Sequence, residues 1–425
     1  VSGGGLAPEA ARELVLAEVV RLGSARVALE DSLGRITAAE VRSEVAIQPF
    51  DNSAMDGYAL RSDDTAAGGA RLRLVGESRA GHPSPVPVGE GEAVWISTGA
   101  MVPQGADAVL PVEDSREEGG DLLPGRSVRP GEHIRRAGED VEAGAVLLEP
   151  GRRIGAAEVA VLAAAGMAQV ECARRPRVTI LGSGDELVPP GQPLGPGQIH
   201  DSNSYALAAL VREAGADPIH VAHLPDEPAA TREAIHAALT PELHQLIHPA
   251  EVEVDAVRGV DVVLVAGGVS VGRHDHVKGA LAELGVEERF WRVAMRPGGP
   301  TWFGVLHREE APPILVFGLP GNPVSATVTF HLFAKPALRA LVGLDPDAAR
   351  TRATLTTTYR KKPGKAHFLR CRLDLTGEGW RAHLTREHQG SHVLTSMLGA
   401  DALAEVPLDA GEVAAGEQVE VVFLR

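Results

Sequence analysis

Cysteine, lysine and positive charge are all scarce in this sequence. Two cysteines, Cys172 and Cys371, cannot build a disulfide framework or a cysteine-rich metal centre, so a reducing compartment is expected. Only five of the 41 basic residues are lysines (Lys278, Lys335, Lys361, Lys362 and Lys365), and 57 acidic residues leave a formal net charge of −16. So acidic a chain argues against general duplex nucleic-acid binding, which needs a basic face, and an anionic ligand would require a local basic exception. Val1-Ser2-Gly3-Gly4-Gly5 has neither the basic nor the apolar region of a signal peptide, and a cytoplasmic location is expected. One uncharged stretch, the 24 residues Ala311–Ala334, is long enough to span a bilayer. It is broken by Leu319-Pro320-Gly321-Asn322-Pro323 and reads as a buried strand, a loop and a helix, so no membrane association is expected.

What is present is an ordinary globular composition, 44% hydrophobic and 23% charged over 425 residues. That length is too great for one small core and predicts roughly two to four domains. Apolar positions at Leu14, Val15, Val19 and Leu22 after Pro8-Glu9 predict an amphipathic helix over 7–22. Short β-rich runs between Gly, Pro and Asp clusters, such as Arg71–Val75, Ala93–Ser97 and Ala108–Val112, predict an antiparallel β domain. Helix returns over 156–165, where it could pack beside the first helix and make the β segment an insertion.

From 175 the pattern changes. Val178–Leu181, Asp261–Val265 and Ile314–Phe317 are continuous apolar runs, each followed by a glycine-bearing loop. Helices follow near 276–284 and from 324. Such strands are parallel and covered on both faces, and their ligands bind outside the carboxyl ends. The expected architecture is therefore multidomain α/β. A three-layer α/β domain with a mostly parallel sheet spans 175–347. An N-terminal helical and extended domain in two parts, 1–40 and 142–174, carries the inserted β domain 41–141, and a C-terminal β domain spans 348–425.

Glycines after buried strands let backbone N–H groups approach an anion, and three such loops in one sheet point to a phosphate or oxyanion site. No Walker A or Rossmann pattern is present. Carboxylates on these loops (Asp185, Glu186, Asp201, Asp226, Asp275) are hard oxygen donors suited to Mg²⁺; singly, each is as well explained as a helix cap or turn. Histidine spacing does not support zinc, and no nucleophile has an evident activating base. Chemistry would rest on electrostatic positioning. The basic exception has two candidates: Arg289, Arg292 and Arg296, and the acid-free run from Arg360 to Arg372 with six cations in thirteen residues. Either alone reads as a solvated face; placed together around the glycine loops they would favour phosphate.

These residues resemble a specific family. The segments Pro49-Phe50-Asp51-Asn52-Ser53-Ala54-Met55-Asp56-Gly57-Tyr58-Ala59, Ile96-Ser97-Thr98-Gly99-Ala100, Gly105-Ala106-Asp107-Ala108-Val109 and Arg136-Ala137-Gly138-Glu139-Asp140 are similar to N-terminal motifs of the MoeA family of molybdopterin molybdenumtransferases, which is related to the gephyrin E domain. So are Gly182-Ser183-Gly184-Asp185-Glu186-Leu187, Gly267-Gly268-Val269-Ser270-Val271-Gly272, Leu319-Pro320-Gly321-Asn322-Pro323-Val324-Ser325-Ala326 and His388-Gln389-Gly390-Ser391-His392. The resemblance implies a pterin-binding α/β domain in an elongated four-domain homodimer. Its implied reaction inserts molybdate, a substrate, into adenylylated molybdopterin, releasing AMP with Mg²⁺ as cofactor. The site would lie between that domain and the N-terminal β domain of a second copy.

Carried over by motif, the catalytic set is Asp56, Thr98, Asp140, Glu186, Asp226 and Asp275, with Glu186, Asp226 and Asp275 at the metal. Substrate-binding positions are Gly267, Gly268, Ser270, Gly272, Arg292, Arg296, Pro320, Gly321, Asn322, Pro323, Arg370 and Ser391. Molybdopterin adenylyltransferase is an implied partner. Two departures stand out: Arg292, Arg296 and Gly299 replace a lysine-rich run, and 240–259 is longer than the usual connection. The rival readings are an adenylyltransferase, opposed by the β insertion and C-terminal domain, and a non-catalytic pterin-binding scaffold.

Overall fold

A computed structural model describes residues 5–66, 69–225, 227–240, 259–269, 276–347 and 350–424. They fall into two compact units. One draws on Arg26–Leu33 and Ala39–Glu171, the other on Val1–Ala25, Gly34–Ala38 and Cys172–Arg425. The first helix, α1 (Pro8–Ala17), belongs to the second of these.

The unit around 39–171 is built on a six-stranded sheet of β1 (Gly57–Leu60), β2 (Leu72–Ser78), β3 (Glu92–Ile96), β4 (Ala108–Pro111), β5 (Ser115–Glu118) and β6 (Asp121–Pro124), in the order β4-β1-β3-β2-β6-β5. Tyr58, Leu60, Leu72, Ala93, Leu110 and Leu122 pack into one core on it. The sheet is not wholly antiparallel as expected: β2 and β3 run parallel. A parallel pair needs a crossover rather than a tight hairpin, and residues 79–91 supply it. Helix α2 (Ala156–Ala164) follows, its N-terminus fixed by Glu158, whose carboxylate accepts from Gly155 N–H at 2.9 Å.

The other unit contains the α/β layer. Its strands are β7 (Arg177–Ser183), β8 (Asp217–Leu224), β9 (Val262–Ala266), β10 (Glu287–Trp291), β12 (Trp302–Leu306) and β13 (Ile314–Leu319), with the short β11 (Met295–Arg296) lying between β10 and β12 in the chain. The sheet order is β8-β7-β9-β13-β12-β10; the first four strands are parallel, β12 runs antiparallel to β13, and β10 pairs antiparallel with β12. Helices α3 (Asn203–Glu213), α4 (Pro228–Leu239), α5 (Val277–Glu283) and α6 (Pro323–Thr329) cover it. Alternation along the central strands explains the three layers. Val262, Leu264, Leu315 and Phe317 join one core with α3 and α6, while Val263, Val265, Ile314 and Val316 join a second with α4 and α5.

Helix starts follow local chemistry. The Glu227 carboxylate accepts from Ala229 and Ala230 N–H at 3.1 and 2.8 Å before Pro228-led α4, and Pro323 opens α6. Pro336, in α7 (Lys335–Leu341), has no N–H for the carbonyl of Leu332, and the helix widens to π geometry over Phe330–Ala334 just before it. Helix α1 packs on this segment through Ala11 and Val15; its expected partner, α2, belongs to the other unit.

At the C-terminus, β14 (Arg350–Leu355), β15 (Ala366–Thr376), β16 (Gly379–Leu384), β17 (Ala402–Val406) and β18 (Gln418–Phe423) pair in the order β15-β16-β14-β18-β17, and β17 pairs again with β15. The ring closes because β15 is long enough to bond β17 through His367–Cys371 and β16 through Cys371–Thr376. The architecture is thus multidomain α/β with a mostly parallel three-layer domain and a C-terminal β domain. Among the described residues no helix is long and apolar enough to cross a membrane. The long connection expected at 240–259 lies almost wholly outside the described residues.

Candidate functional site

Strands β7, β9 and β13 are neighbours, so the loops at their carboxyl ends lie side by side. Gly267 N–H donates to Leu319 O at 2.9 Å, joining the β9 and β13 loops. Gly267 and Gly268 have φ of +93° and +65°. A Cβ on Gly267 would lie 3.0 Å from Ser183 O, and one on Gly268 only 2.4 Å from Val277 Cγ2. Both positive φ and close approach therefore require glycine at this pair.

The β9 and β13 loops border a cavity of about 350 Å³. Gly267–Val269 form one wall, Pro320–Asn322 and Ser325 another, and Gly298, Pro300 and Ser391 complete the lining. Six of the expected substrate positions meet here: Gly267, Gly268, Pro320, Gly321, Asn322 and Ser391. Pro323 is the first residue of α6. The sequence did not single out Gly298, Pro300 or Asn203 as binding positions. Asn203 Nδ2 donates to Gly321 O at 2.7 Å and holds the β13 loop. The Asn322 Oδ1 is buried without a hydrogen-bond partner, a cost that a ligand N–H would remove.

Arg370 takes a different position from the one its basic neighbours suggest. It points inward from β15 with 0% exposure. Its guanidinium donates to Ser396 Oγ (3.1 Å), Phe368 O and Gly390 O (both 3.3 Å), and its backbone N–H donates to Gln389 Oε1 (2.9 Å). These bonds fix the turn that carries Ser391. Much of the basic run is likewise engaged within the chain. Arg289 pairs with Glu18 and Glu287, Arg360 with Glu412, Arg372 with Asp374, and Lys361 Nζ donates to Leu408 and Ala410 carbonyls. Arg292, Arg296, Lys362 and Lys365 keep no acidic partner among the described residues. Arg296 lies in β11 beside His367 of β15. Burial, then Lys361, Arg296 and Lys365, pull the His367 pKa down to about 4, so its ring is neutral at pH 7.

Of the expected metal ligands, Glu186 presents an exposed carboxylate over Gly184, with no cationic partner among the described residues. Such a hard oxygen donor fits Mg²⁺, which takes one or two carboxylates and keeps its remaining positions for water and phosphate. Asp226, Ser270, Gly272 and Asp275 lie outside the described residues. Among those described, no cluster of three or more His, Cys, Asp or Glu could hold a metal. Nor does a nucleophile emerge: burial pushes the Cys371 thiol up to about 12.

In the other unit, Gly57 of β1 pairs with Ile96 of β3, which brings the residues just beyond these strands together. Asp56 Oδ1 accepts from Thr98 N–H (2.6 Å) and Thr98 Oγ1–H (2.8 Å), and these bonds hold its carboxyl below the usual range. Asp140 is exposed on a separate loop. Asp51 accepts from Ala137 N–H at 2.9 Å and from Arg136 at 2.5 Å, tying down the backbone just before it.

Comparison with known proteins gives a consistent result across the chain. Residues 6–166 match the "MoeA N-terminal region (domain I and II)", 179–340 the "Probable molybdopterin binding domain" and 352–424 the "MoeA C-terminal region (domain IV)". A molybdopterin molybdenumtransferase of Nostoc sp. is 36% identical over 92% of this chain and 86% of its own length. One from Haemophilus influenzae is 34% identical over 92% of each. Among solved structures, a molybdopterin biosynthesis MoeA protein from Pyrococcus horikosii superimposes with a TM-score of 0.80 at 32% identity, covering 99% of both chains. With its glycine-loop cavity in the segment matched to a molybdopterin-binding domain, this chain belongs to the molybdopterin molybdenumtransferase family, transferases of molybdenum cofactor biosynthesis.

Proposed function

We propose that the chain inserts molybdate into adenylylated molybdopterin and releases AMP, with Mg²⁺ required. The observation that carries this reading is the cavity at the ends of β9 and β13. Two adjacent glycines bare the backbone to an anion there, and the buried Asn322 Oδ1 lacks a donor such as a pterin ring supplies. Glu186 would hold Mg²⁺, together with Asp226 and Asp275; when bound, the metal neutralises charge on the phosphates. Arg292 and Arg296 attract the oxyanion, Arg370 sets the turn bearing Ser391, and Asp56, Thr98 and Asp140 of a second copy complete the site. No protein nucleophile is required, because the dithiolene sulfurs of the substrate are themselves the metal's ligands. The setting is a cytoplasmic homodimer that receives its substrate from an adenylyltransferase.

Purified chain incubated with adenylylated molybdopterin, Mg²⁺ and molybdate should release AMP and form molybdenum cofactor. Transfer of AMP from ATP to molybdopterin would replace this reading with an adenylyltransferase. Absence of both reactions would leave a scaffold.

A further inference from the structure

Asn203 is the first residue of α3, yet its side chain takes no part in starting that helix. Asp201 caps the first turn: its Oδ1 accepts from Ser204 N–H at 3.0 Å, and its own N–H donates to Val188 O at 2.9 Å. The Asn203 carboxamide reaches instead to a residue 118 positions away, where Nδ2 donates to Gly321 O at 2.7 Å. A carbonyl can only accept, so this bond decides which end of the amide faces the loop. The other end, Oδ1, is buried with no hydrogen-bond partner among the described residues, on a residue that is 7% exposed. An unpaired buried acceptor lowers stability. A carboxamide kept at that cost for one bond to the β13 loop points to a role in the loop rather than in folding.

The loop it holds borders the cavity. Gly321 packs against the β9 loop, where a Cβ would lie 3.5 Å from Gly267 Cα, and Gly267 N–H donates to Leu319 O at 2.9 Å. The β13 loop is thus clamped from two sides, by the β9 backbone and by Asn203. Asn322 follows Gly321 and lines the cavity, and its Oδ1 is buried with no partner among the described residues. The Gly321 carbonyl and the Asn322 N–H share one planar peptide unit, so fixing that carbonyl fixes the approach to Asn322. The Asn322 acceptor calls for a ligand N–H. A 2-amino-4-oxopteridine offers one at its 2-amino group. The 2,4-dioxo analogue places a carbonyl oxygen there, and two acceptors would then face each other.

We propose that Asn203 is a positioning residue of this site: through Gly321 it holds Asn322 Oδ1 where it accepts from the 2-amino group of a pteridine, so that the loop selects a 2-amino-4-oxopteridine over its 2-oxo analogue. This rests on the reading of the cavity as a molybdopterin site and adds to it the residue that sets its selectivity.

The test is fluorescence titration of the full chain with Mg²⁺ at pH 7, using pterin and its 2-oxo analogue lumazine as probes, for wild type, Asn203→Ala, Asn203→Asp and Asn322→Ala. Thermal midpoints serve as the folding control. Wild type should bind pterin about 10- to 100-fold more tightly than lumazine, because the analogue leaves a buried acceptor unpaired. Asn203→Ala and Asn322→Ala should each reduce that preference by about 5- to 20-fold, mainly by weakening pterin. Partial unfolding would scale both affinities alike, so a merely structural role would leave the ratio unmoved. Asn203→Asp sets a carboxylate against the Gly321 carbonyl at pH 7 and should lose the preference. A protonated carboxyl can donate, so the preference should return as pH is lowered toward 5 while the wild-type ratio stays level. Wild-type preference in Asn203→Ala, equal weakening of both probes, no recovery of Asn203→Asp at low pH, or a wild-type chain that binds pterin no better than lumazine or binds neither would overturn the proposal. Any of these results together with AMP release from adenylylated molybdopterin by wild type would overturn this inference alone. A reduced preference in Asn203→Ala without AMP release by wild type would instead overturn the insertion reading alone.

Discussion

Asp56 and Thr98 are 42 residues apart in the chain and meet because β1 and β3 are in register. Thr98 supplies both donors to one carboxylate oxygen, so Thr98→Val should raise the Asp56 pKa toward the ordinary aspartate value, read by NMR titration. A carboxyl depressed in the folded state stabilises above its unfolded pKa and loses that contribution as pH falls through the folded value, so this effect is confined to acid, below about pH 4. Glu186 is predicted to act in chemistry rather than in folding, because its carboxylate is exposed and has no cationic partner among the described residues. Glu186→Gln should therefore abolish AMP release and leave the thermal midpoint within about 1 °C, since surface substitutions away from packing or caps change stability little. The glycine loops and the Asn322 motif were legible in sequence because backbone demands select residue type directly. Arg370 was not: an arginine in a basic run looks solvated, and only its inward register on β15 reveals a buried side chain that anchors a turn.

At the scale of elements, the central strands β7, β9 and β13 could be read as buried because both faces are apolar, whereas the edge strands could not. Strand β8 carries Asp217, His220 and His223 and is only half-buried, so its pattern resembles a loop. The parallel β2–β3 pair was equally hidden, since direction depends on where a crossover returns and not on strand composition. Leu264 lies at 0% exposure in the core shared with α3 and α6. Leu264→Ala should cost about 2–5 kcal/mol in urea unfolding. The π segment before α7 buries His331, and burial, then Lys335, pull its pKa down to about 3. The unfolded chain binds that proton near 6.5, so stability is complete above that value and declines as pH falls toward about 3. This histidine alone should remove about 2 kcal/mol between pH 7 and pH 5, and His331→Phe should flatten that part of the profile.

For the whole molecule, the net charge of −16 is compatible with an anionic ligand because cations are distributed unequally in what they do. Arg289, Arg360 and Arg372 pair with nearby carboxylates and hold strands and helices, whereas Arg292 and Arg296 keep no acidic partner among the described residues. The order of domains was legible because each has its own periodicity, and the membership of α1 was not, because the apolar face of a helix does not say which unit will cover it. We propose that this family member couples AMP release to metal insertion. The coupling is tested most directly by incubating the purified chain with adenylylated molybdopterin and Mg²⁺, with and without molybdate, and measuring AMP and molybdenum cofactor together. AMP and cofactor rising in equal amounts only when molybdate is present is the predicted result; AMP without cofactor, or no AMP at all, would contradict it.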